Sequence, residues 1–350
     1  MVTLRDVANA AGVSPAAASY ALSGSSKVTE ETARRVRRAA RTLHYTGNFA
    51  ARSLRRGKSG IIGVAMFELR REYPATLAYA IGNEVAKHGR QALVQQISYS
   101  DERERAFIRS MANQYSDGLL LCSAGVPESE IDALSKGKPV VVLDDVSIKR
   151  YDTVLNPREE GENALVGHLV SIGRTDALII GADRLSRKEI IAAQPGRYRF
   201  LASCYAAYAN HGMRLNKRRI EPLPAWDIEQ ARLKAHELVE RRCIFDSAIC
   251  ATDTVALGFI RGLLECGVRV PDDVAVVGFD GIATGRYCSP TLTTIETDID
   301  EVARRAVDLL MRRIGDAEDN DDDEGAPTDP QHVTVGYRLR IGESTVGAKD

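Results

Sequence analysis

No stretch of this 350-residue chain comes near the roughly 20 consecutive apolar residues that a helical bilayer span requires. The longest apolar runs, such as Ile61-Ile62-Gly63-Val64-Ala65-Met66-Phe67, are only strand-length. The first residues hold Arg5 and Asp6 with no apolar stretch behind them, so no secretory signal is read and the expected compartment is the cytoplasm. Cysteine is sparse: Cys122, Cys204, Cys243, Cys250, Cys266 and Cys288 show no C-x-x-C spacing, which predicts free thiols and not a disulfide framework or zinc site. The six histidines are scattered without ligand spacing, so neither a metal nor another cofactor is expected. Also missing are a G-x-G-x-x-G after a strand, a phosphate loop and a G-x-S-x-G elbow. Asp144 and Asp145 have no recognisable acid–base partner. The expectation is therefore a protein that is not an enzyme.

The composition is that of an ordinary globular protein, with 44% apolar and 27% charged residues, and the length suits two or three domains. The net charge of −1 conceals a division. Residues 1–60 hold eleven Lys/Arg against three acids, a balance of +8, which leaves −9 for the remainder. A basic end on an acidic body points to one segment that meets a polyanion.

The basic end reads as three short helices. Thr3 with Asp6 three residues on forms a capping-box pattern, and Leu4, Val7, Ala8 and Ala11 fall at helical spacing. Gly12 allows a tight turn, and Val13 can plug the angle between two helices. Ser14 caps a second helix with Pro15 at its first position, ending at Leu22. Thr29 caps a third, over 30–43, with Val36, Ala40 and Leu43 inward and arginines outward. Two helices about a tight turn, followed by a third, form a helix-turn-helix unit. The small polar start of the second helix leaves room to enter a major groove, and its N-terminus suits phosphate oxygens.

The run Thr3-Leu4-Arg5-Asp6-Val7-Ala8-Asn9-Ala10-Ala11-Gly12-Val13-Ser14 resembles the opening of lac repressor-type regulators. The likeness continues in Val28-Thr29-Glu30-Glu31-Thr32 and in Leu43-His44-Tyr45-Thr46-Gly47-Asn48-Phe49-Ala50-Ala51-Arg52-Ser53-Leu54. It implies DNA contacts from Thr3, Ser14, Pro15, Ala16, Ser19, Tyr20, Lys27, Thr29, Tyr45 and Asn48. It further implies a hinge helix at about 47–56, in which Leu54, with Ala51 beside it, wedges into a minor-groove step and kinks the duplex. Three features depart from the family. Gly47 replaces the usual proline, and Tyr20 stands where a polar reader such as arginine is frequent. Ala16, Ala17 and Ala18 give the reading helix little hydrogen-bonding reach. An operator read partly through thymine methyls and DNA shape is expected.

Beyond the joint at Gly57-Lys58-Ser59-Gly60, apolar strands at 61–67, 92–97, 118–122, 139–143, 177–180, 248–250 and 274–279 are predicted. They alternate with helices at 73–89, 101–114, 128–136, 157–172, 198–211, 229–242 and 255–266. Such alternation implies doubly wound parallel sheets, too many units for one sheet, and hence two lobes about a cleft. The family likeness extends here through Ala251-Thr252-Asp253-Thr254-Val255-Ala256-Leu257-Gly258, Val268 to Gly281, Ser289 to Ile295, and loosely Gly342-Glu343-Ser344-Thr345. The whole expectation is an α/β protein: a helix-turn-helix DNA-binding head over 1–57, and a two-lobed periplasmic-binding-protein-like core over 58–350 that binds an effector and dimerises.

By the same resemblance Asp280 is the effector-binding aspartate, Arg199 approximates a ligand arginine, and Trp226 stands where an aromatic stacks on the ligand. Tyr73, Thr252 and Asp253 are further candidates, with Asp253 equally readable as a helix cap. One of Asp144 and Asp145 is expected to face the ligand. The acidic run at 316–324 predicts a disordered loop over about 316–330 before a last strand at 333–340. The function these readings imply is sequence-specific repression of transcription by a homodimer on duplex operator DNA, controlled by a sugar or nucleoside-type effector, with no membrane partner. A solute-binding protein without a transcriptional role is the alternative, and the basic head argues against it.

Overall fold

The computed structural model describes residues 2–22, 25–45, 59–122, 125–192, 198–319 and 329–347. The chain divides into two compact units, Met1–Gly60 and Ile61–Asp350.

In the first unit, helices α1 (Leu4–Ala11), α2 (Pro15–Leu22) and α3 (Glu30–Thr42) follow from local caps. The Thr3 hydroxyl accepts the Asp6 N–H at 3.3 Å, and the Asp6 carboxylate accepts the Thr3 N–H at 2.8 Å, completing the capping box. Gly12 ends α1 in the left-handed region at φ +62°. Ser14 and Thr29 cap α2 and α3 through Ala17 N–H and Thr32 N–H. The three helices close on Val7, Ala8, Ala11, Ala18, Ala21, Ala33, Val36 and Ala40. A core made mostly of alanine brings the helix axes close together.

The second unit holds two six-stranded sheets. One has the order β11-β5-β4-β3-β1-β2, the other β12-β10-β9-β8-β6-β7. Every pairing is parallel except β10 with β12. The first lobe contains β1 (Ile61–Met66), β2 (Gln91–Gln96), β3 (Gly118–Cys122), β4 (Val140–Leu143), β5 (Asp152–Leu155) and β11 (His332–Thr334). The second contains β6 (Ala177–Ile180), β7 (Ile220–Glu221), β8 (Ser247–Cys250), β9 (Ala275–Asp280), β10 (Thr293–Thr297) and β12 (Tyr337–Arg340). Central strands such as Gly-Leu-Leu-Leu-Cys and Val-Val-Val-Leu are buried along their whole length, as strands covered on both faces must be. Separate apolar clusters fill the two faces of each sheet.

The helices of this unit are α4 (Glu72–Lys87), α5 (Asp101–Ser110), α6 (Glu128–Ser135), α7 (Arg158–Ser171), α8 (Arg187–Ala192), α9 (Arg199–Asn210), α10 (Ile228–Glu240), α11 (Asp253–Glu265), α12 (Ile299–Asp319) and α13 (Glu343–Val346). A π-turn at Met111–Tyr115 extends α5. The chain passes between lobes three times: from β5 into α7, from β10 into α12, and from β11 to β12.

Two expectations are corrected. The last strand, expected at 333–340, is two strands in different sheets, broken at Val335-Gly336 where the chain changes lobe. The loop expected over about 316–330 is helical at its start, because α12 runs on to Asp319. Its apolar positions Val302, Ala303, Ala306, Val307, Leu310 and Ile314 pack on the first lobe, and that stripe carries the helix into the acidic run. Residues 320–328 lie outside the described residues. All six cysteines are free thiols.

Candidate ligand cleft and nucleic-acid interface

In parallel sheets the strand C-termini open onto the cleft. Asp144 follows β4, Asn156 follows β5, Thr252 follows β8, and Asp280 ends β9. Tyr73 lies in the first turn of α4, just beyond β1. Seven described residues other than glycine have positive φ; Ser98, Tyr99, Asp144 and Asp280 of these stand at strand ends on the cleft. Asp280, at φ +124°, is the most strained, and strain of about 1–3 kcal/mol at a ligand-facing residue is a recurring mark of function.

Arg199, on α9 of the second lobe, reaches across to the first. Its Nη1 donates to Asp144 at 2.5 Å and its Nη2 to the Asn156 carbonyl at 2.7 Å. Its Nε and Nη2 also form a fork on Glu159, at 2.9 and 2.6 Å. Asp144 Oδ1 additionally accepts the Asn156 N–H at 3.1 Å, and the Tyr73 hydroxyl donates to Asn156 Oδ1 at 2.9 Å. Burial pushes the Asp144 carboxyl above its usual range, against the pull of Arg199 and Arg158. Burial, with Asp144 and Asp280 nearby, holds the Tyr73 phenol well above its ordinary value.

Asp280 is 7% exposed, and its carboxylate accepts no hydrogen bond among the described residues. Burial and the charge of Asp253 lift its proton affinity well above that of an ordinary aspartate, against the pull of Arg158 and Arg71. Arg158 itself is occupied: it pairs with Glu162 at 3.0 Å, donates to the Ala251 carbonyl at 3.2 Å and lies 3.6 Å from the Phe279 ring centroid. On the first-lobe side, Phe67 and Tyr99 stack at 5.1 Å, and Arg71 donates to the Tyr99 hydroxyl.

The remaining candidates separate by role. Asp145 accepts the Ser147 N–H and hydroxyl at 2.8 and 2.6 Å, so it closes its own turn while Asp144 joins the cleft. Thr252 caps α11 through Val255 N–H. Asp253 is fully buried and both its oxygens are used, by Ile282 N–H at 2.9 Å and the Thr294 hydroxyl at 2.5 Å. The helix-cap reading of Asp253 does not hold, since Thr252 is the cap; its oxygens instead tie β10 and the segment after β9 to the start of α11. Trp226 is half-buried, with Nε1 donating to the Gly181 carbonyl at 2.6 Å and its ring edge-on to Phe200 at 6.3 Å.

Sequence reasoning missed Phe67, Arg71, Tyr99, Asn156 and Glu159. The signal for the first three was their place just past an apolar strand, where cleft residues gather. Nothing local marks Glu159 as the partner of an arginine 40 residues away.

In the head, Thr3, Ser14, Pro15, Ala16, Tyr20, Lys27 and Thr29 are exposed, and Ser19 is half-buried. The Lys27 ammonium lies 5.2 Å from the Tyr20 ring centroid, which places a cation beside the unusual tyrosine. One expectation changes. Ala18 is fully buried in the head core and cannot face a base; Ala16 is the exposed member of the alanine run. Tyr45 is half-buried, with part of its side chain against the core. Arg35 is also withdrawn from the outer face, since its Nη2 donates to the Ala11 carbonyl at 2.8 Å and braces the turn. Asn48, Ala51 and Leu54 lie outside the described residues.

A capped helix-turn-helix unit followed in sequence by a two-lobed, periplasmic-binding-protein-like core defines a DNA-binding regulatory protein. Residues 3–48 match the description "Bacterial regulatory proteins, lacI family", and residues 166–345 match "Periplasmic binding protein-like domain". The chain belongs to the lacI family of transcriptional regulators. A putative regulator of that family from Sanguibacter keddieii DSM 10542 is 31% identical, with a TM-score of 0.71 over 83% of this chain and 100% of its own. A ribose operon repressor of Halalkalibacterium halodurans is 26% identical over 100% of this chain and 99% of its own length. The HTH-type transcriptional repressor PurR of Aliivibrio fischeri (strain MJ11) is 29% identical over 90% and 93%. The lac repressor dimer bound to operator shares the fold, with a TM-score of 0.81 at 23% identity. Among the described residues no helix is long and apolar enough to cross a membrane.

Proposed function

We propose that this regulator is a repressor whose grip on operator DNA is set by a small ligand held between the two lobes of residues 61–350. The observation that carries the ligand site is Asp280: a buried, strained carboxylate without a hydrogen-bond partner among the described residues, at a strand end facing Tyr73, Asp144 and Arg71. A ligand hydroxyl or amine supplies the donor it lacks. Tyr73, Asn156 and Asp144 line the first-lobe side, and Arg199 ties the lobes together over the ligand. The exposed part of Trp226 and the Phe67–Tyr99 stack offer apolar faces to a sugar or base. The names of the relatives, a ribose operon repressor and PurR, agree with a sugar or nucleoside-type ligand.

The chain acts as a homodimer, which puts two heads on half-sites about one DNA turn, or a multiple, apart. The open edge of β2 with exposed Leu93, and Tyr79 on the adjoining α4, give an apolar face that suits a second copy. In the head, Ser14, Pro15, Ala16, Ser19 and Tyr20 meet base edges and phosphates, with Thr3, Lys27, Thr29, Tyr45 and Asn48 on the backbone. Leu54, with Ala51, wedges a minor-groove step. The domains act as 1–57 and 58–350, in the cytoplasm, without catalysis. DNA and ligand affinities are linked, so each changes the other by the same factor.

Selection of bound sequences from random DNA tests the reading half of this proposal. A palindromic site whose contacts opposite Tyr20 favour thymine is expected; a fixed guanine there contradicts it. A thermal-shift screen with sugars and nucleosides, repeated with the selected DNA, tests the sensing half. A ligand that raises the melting temperature and changes DNA affinity is expected. A ligand that is consumed would instead make the chain an enzyme.

A further inference from the structure

The cleft has carboxylate to spare and almost no free fork for an anion. Arg199 has five N–H donors, of which four are used: two on Glu159, one on Asp144 and one on the Asn156 carbonyl. Its side chain is 8% exposed, so the guanidinium is enclosed with two carboxylates for its one charge. Arg158 is balanced by Glu162 and turned onto the Phe279 ring. Arg71, donating to the Tyr99 hydroxyl, is the remaining cation near Asp280. Asp144 and Glu159 share the single charge of Arg199, and Asp280 brings a further carboxyl group with only Arg71 left near it among the described residues, so the cleft holds no spare positive charge for an anion.

We propose that the cleft accepts a phosphate-free polyhydroxylated ligand, neutral or amine-bearing, rejects the phosphate ester of the same compound, and owes that preference to Glu159 as its specificity-determining residue. This rests on the ligand-sensing reading above. A hydroxyl or ammonium donates to the vacant Asp280 oxygens and brings its own hydrogen-bond partner. A phosphate dianion brings only acceptors. To be held it must take Arg199 from the half-exposed Glu159, leaving that carboxylate unpaired beside it, or stand against the buried Asp280. Like charges brought together repel, most strongly at the buried Asp280.

The test uses the full chain and matched probe pairs: ribose and ribose 5-phosphate, glucose and glucose 6-phosphate, adenosine and adenosine 5′-monophosphate. Affinities come from calorimetric titration at fixed ionic strength. In any pair that binds, the phosphate-free member is expected to bind at least about tenfold more tightly. Glu159→Gln removes one charge and loosens the fork, and is expected to narrow that ratio severalfold by improving the ester. A merely structural role for Glu159 would weaken both members alike, and that result overturns the assignment of specificity to it. An ester that binds the unaltered chain more tightly than its parent overturns the inference while leaving the sensing reading intact. If no probe binds or alters the chain's affinity for DNA, the sensing reading fails for these classes and this inference falls with it.

Discussion

Asp253 and Asp280 carry the same functional group on neighbouring strand ends, yet the fold gives them opposite tasks. Asp253 accepts from Ile282 N–H and the Thr294 hydroxyl, and so fixes the segment that leaves β9 and the start of β10. Asp280 is left open. Asp253→Ala strands two buried donors and is expected to cost about 1–3 kcal/mol in urea unfolding. Burial raises the Asp253 carboxyl to about 6, against its hydrogen bonds to Thr294 and Ile282. The folded chain therefore holds this proton more tightly than the unfolded chain. The stability this group contributes is complete below the unfolded value and is lost as pH rises toward 6. Unfolding midpoints at pH 5 and pH 7.5 should show the fall, and Asp253→Ala should flatten it. Some slope will persist through Glu162, whose carboxyl burial lifts to about 7. Asp280→Asn, by contrast, removes a buried carboxyl with a raised proton affinity, so it should not lower the melting temperature at neutral pH and should abolish the response to ligand. A variant that melts early but still responds would show the roles reversed. The sequence placed both aspartates at strand ends but could not divide them, because Thr294 and Ile282 are 41 and 29 residues from Asp253.

Elements were legible where their causes are local. Caps such as Thr3, Ser14 and Thr29 act within three residues, so the head helices could be placed closely from sequence. Most of the buried strands announced themselves as apolar runs, but β5, Asp-Thr-Val-Leu, and the two-residue β7 were not expected. Nor was β10, Thr-Thr-Ile-Glu-Thr, because the polar groups of Thr293 and Thr294 find their partners far along the chain, in Ser344, Thr345 and Asp253. The phase of α2 was equally hidden: three adjacent alanines look alike, and only packing buries Ala18 and exposes Ala16. Ala18→Leu should therefore overfill the head core and cost about 1–3 kcal/mol, while Ala16→Leu should leave melting unchanged and alter DNA preference. Helices α10 and α11 meet through glycine. A Cβ on Gly262 would lie 2.3 Å from the Arg232 carbonyl oxygen, and one on Gly258 only 2.1 Å from that of Ile228. Gly262→Ala should destabilise the second lobe by about 1–3 kcal/mol, read as a lowered urea midpoint.

Among the described residues of 61–350, two side chains tie the lobes together besides the chain crossings. Arg199 holds Asp144 and the Asn156 carbonyl on one side of the cleft. Glu72, at the start of α4, accepts Ala283 N–H at 2.8 Å, Thr284 N–H at 3.3 Å and the Thr284 hydroxyl on the other. Neither pairing is visible in sequence, since the partners of Glu72 lie more than 200 residues away. Glu72→Ala should loosen the closed arrangement. Amide exchange at 283–286 is expected to quicken and ligand affinity to fall severalfold, with little change in global stability. Unchanged exchange there would show that the contact does not hold the lobes.

The division of labour between a basic reading head and an acidic sensing core is tested most directly by fluorescence anisotropy on a labelled duplex carrying the selected site. The intact chain and residues 61–350 alone should be titrated side by side at several salt concentrations. The intact chain is expected to bind tightly, with affinity falling steeply as salt rises, while the shorter chain binds ligand but shows no preference for the site. Equal affinity of the two for that duplex would contradict the account.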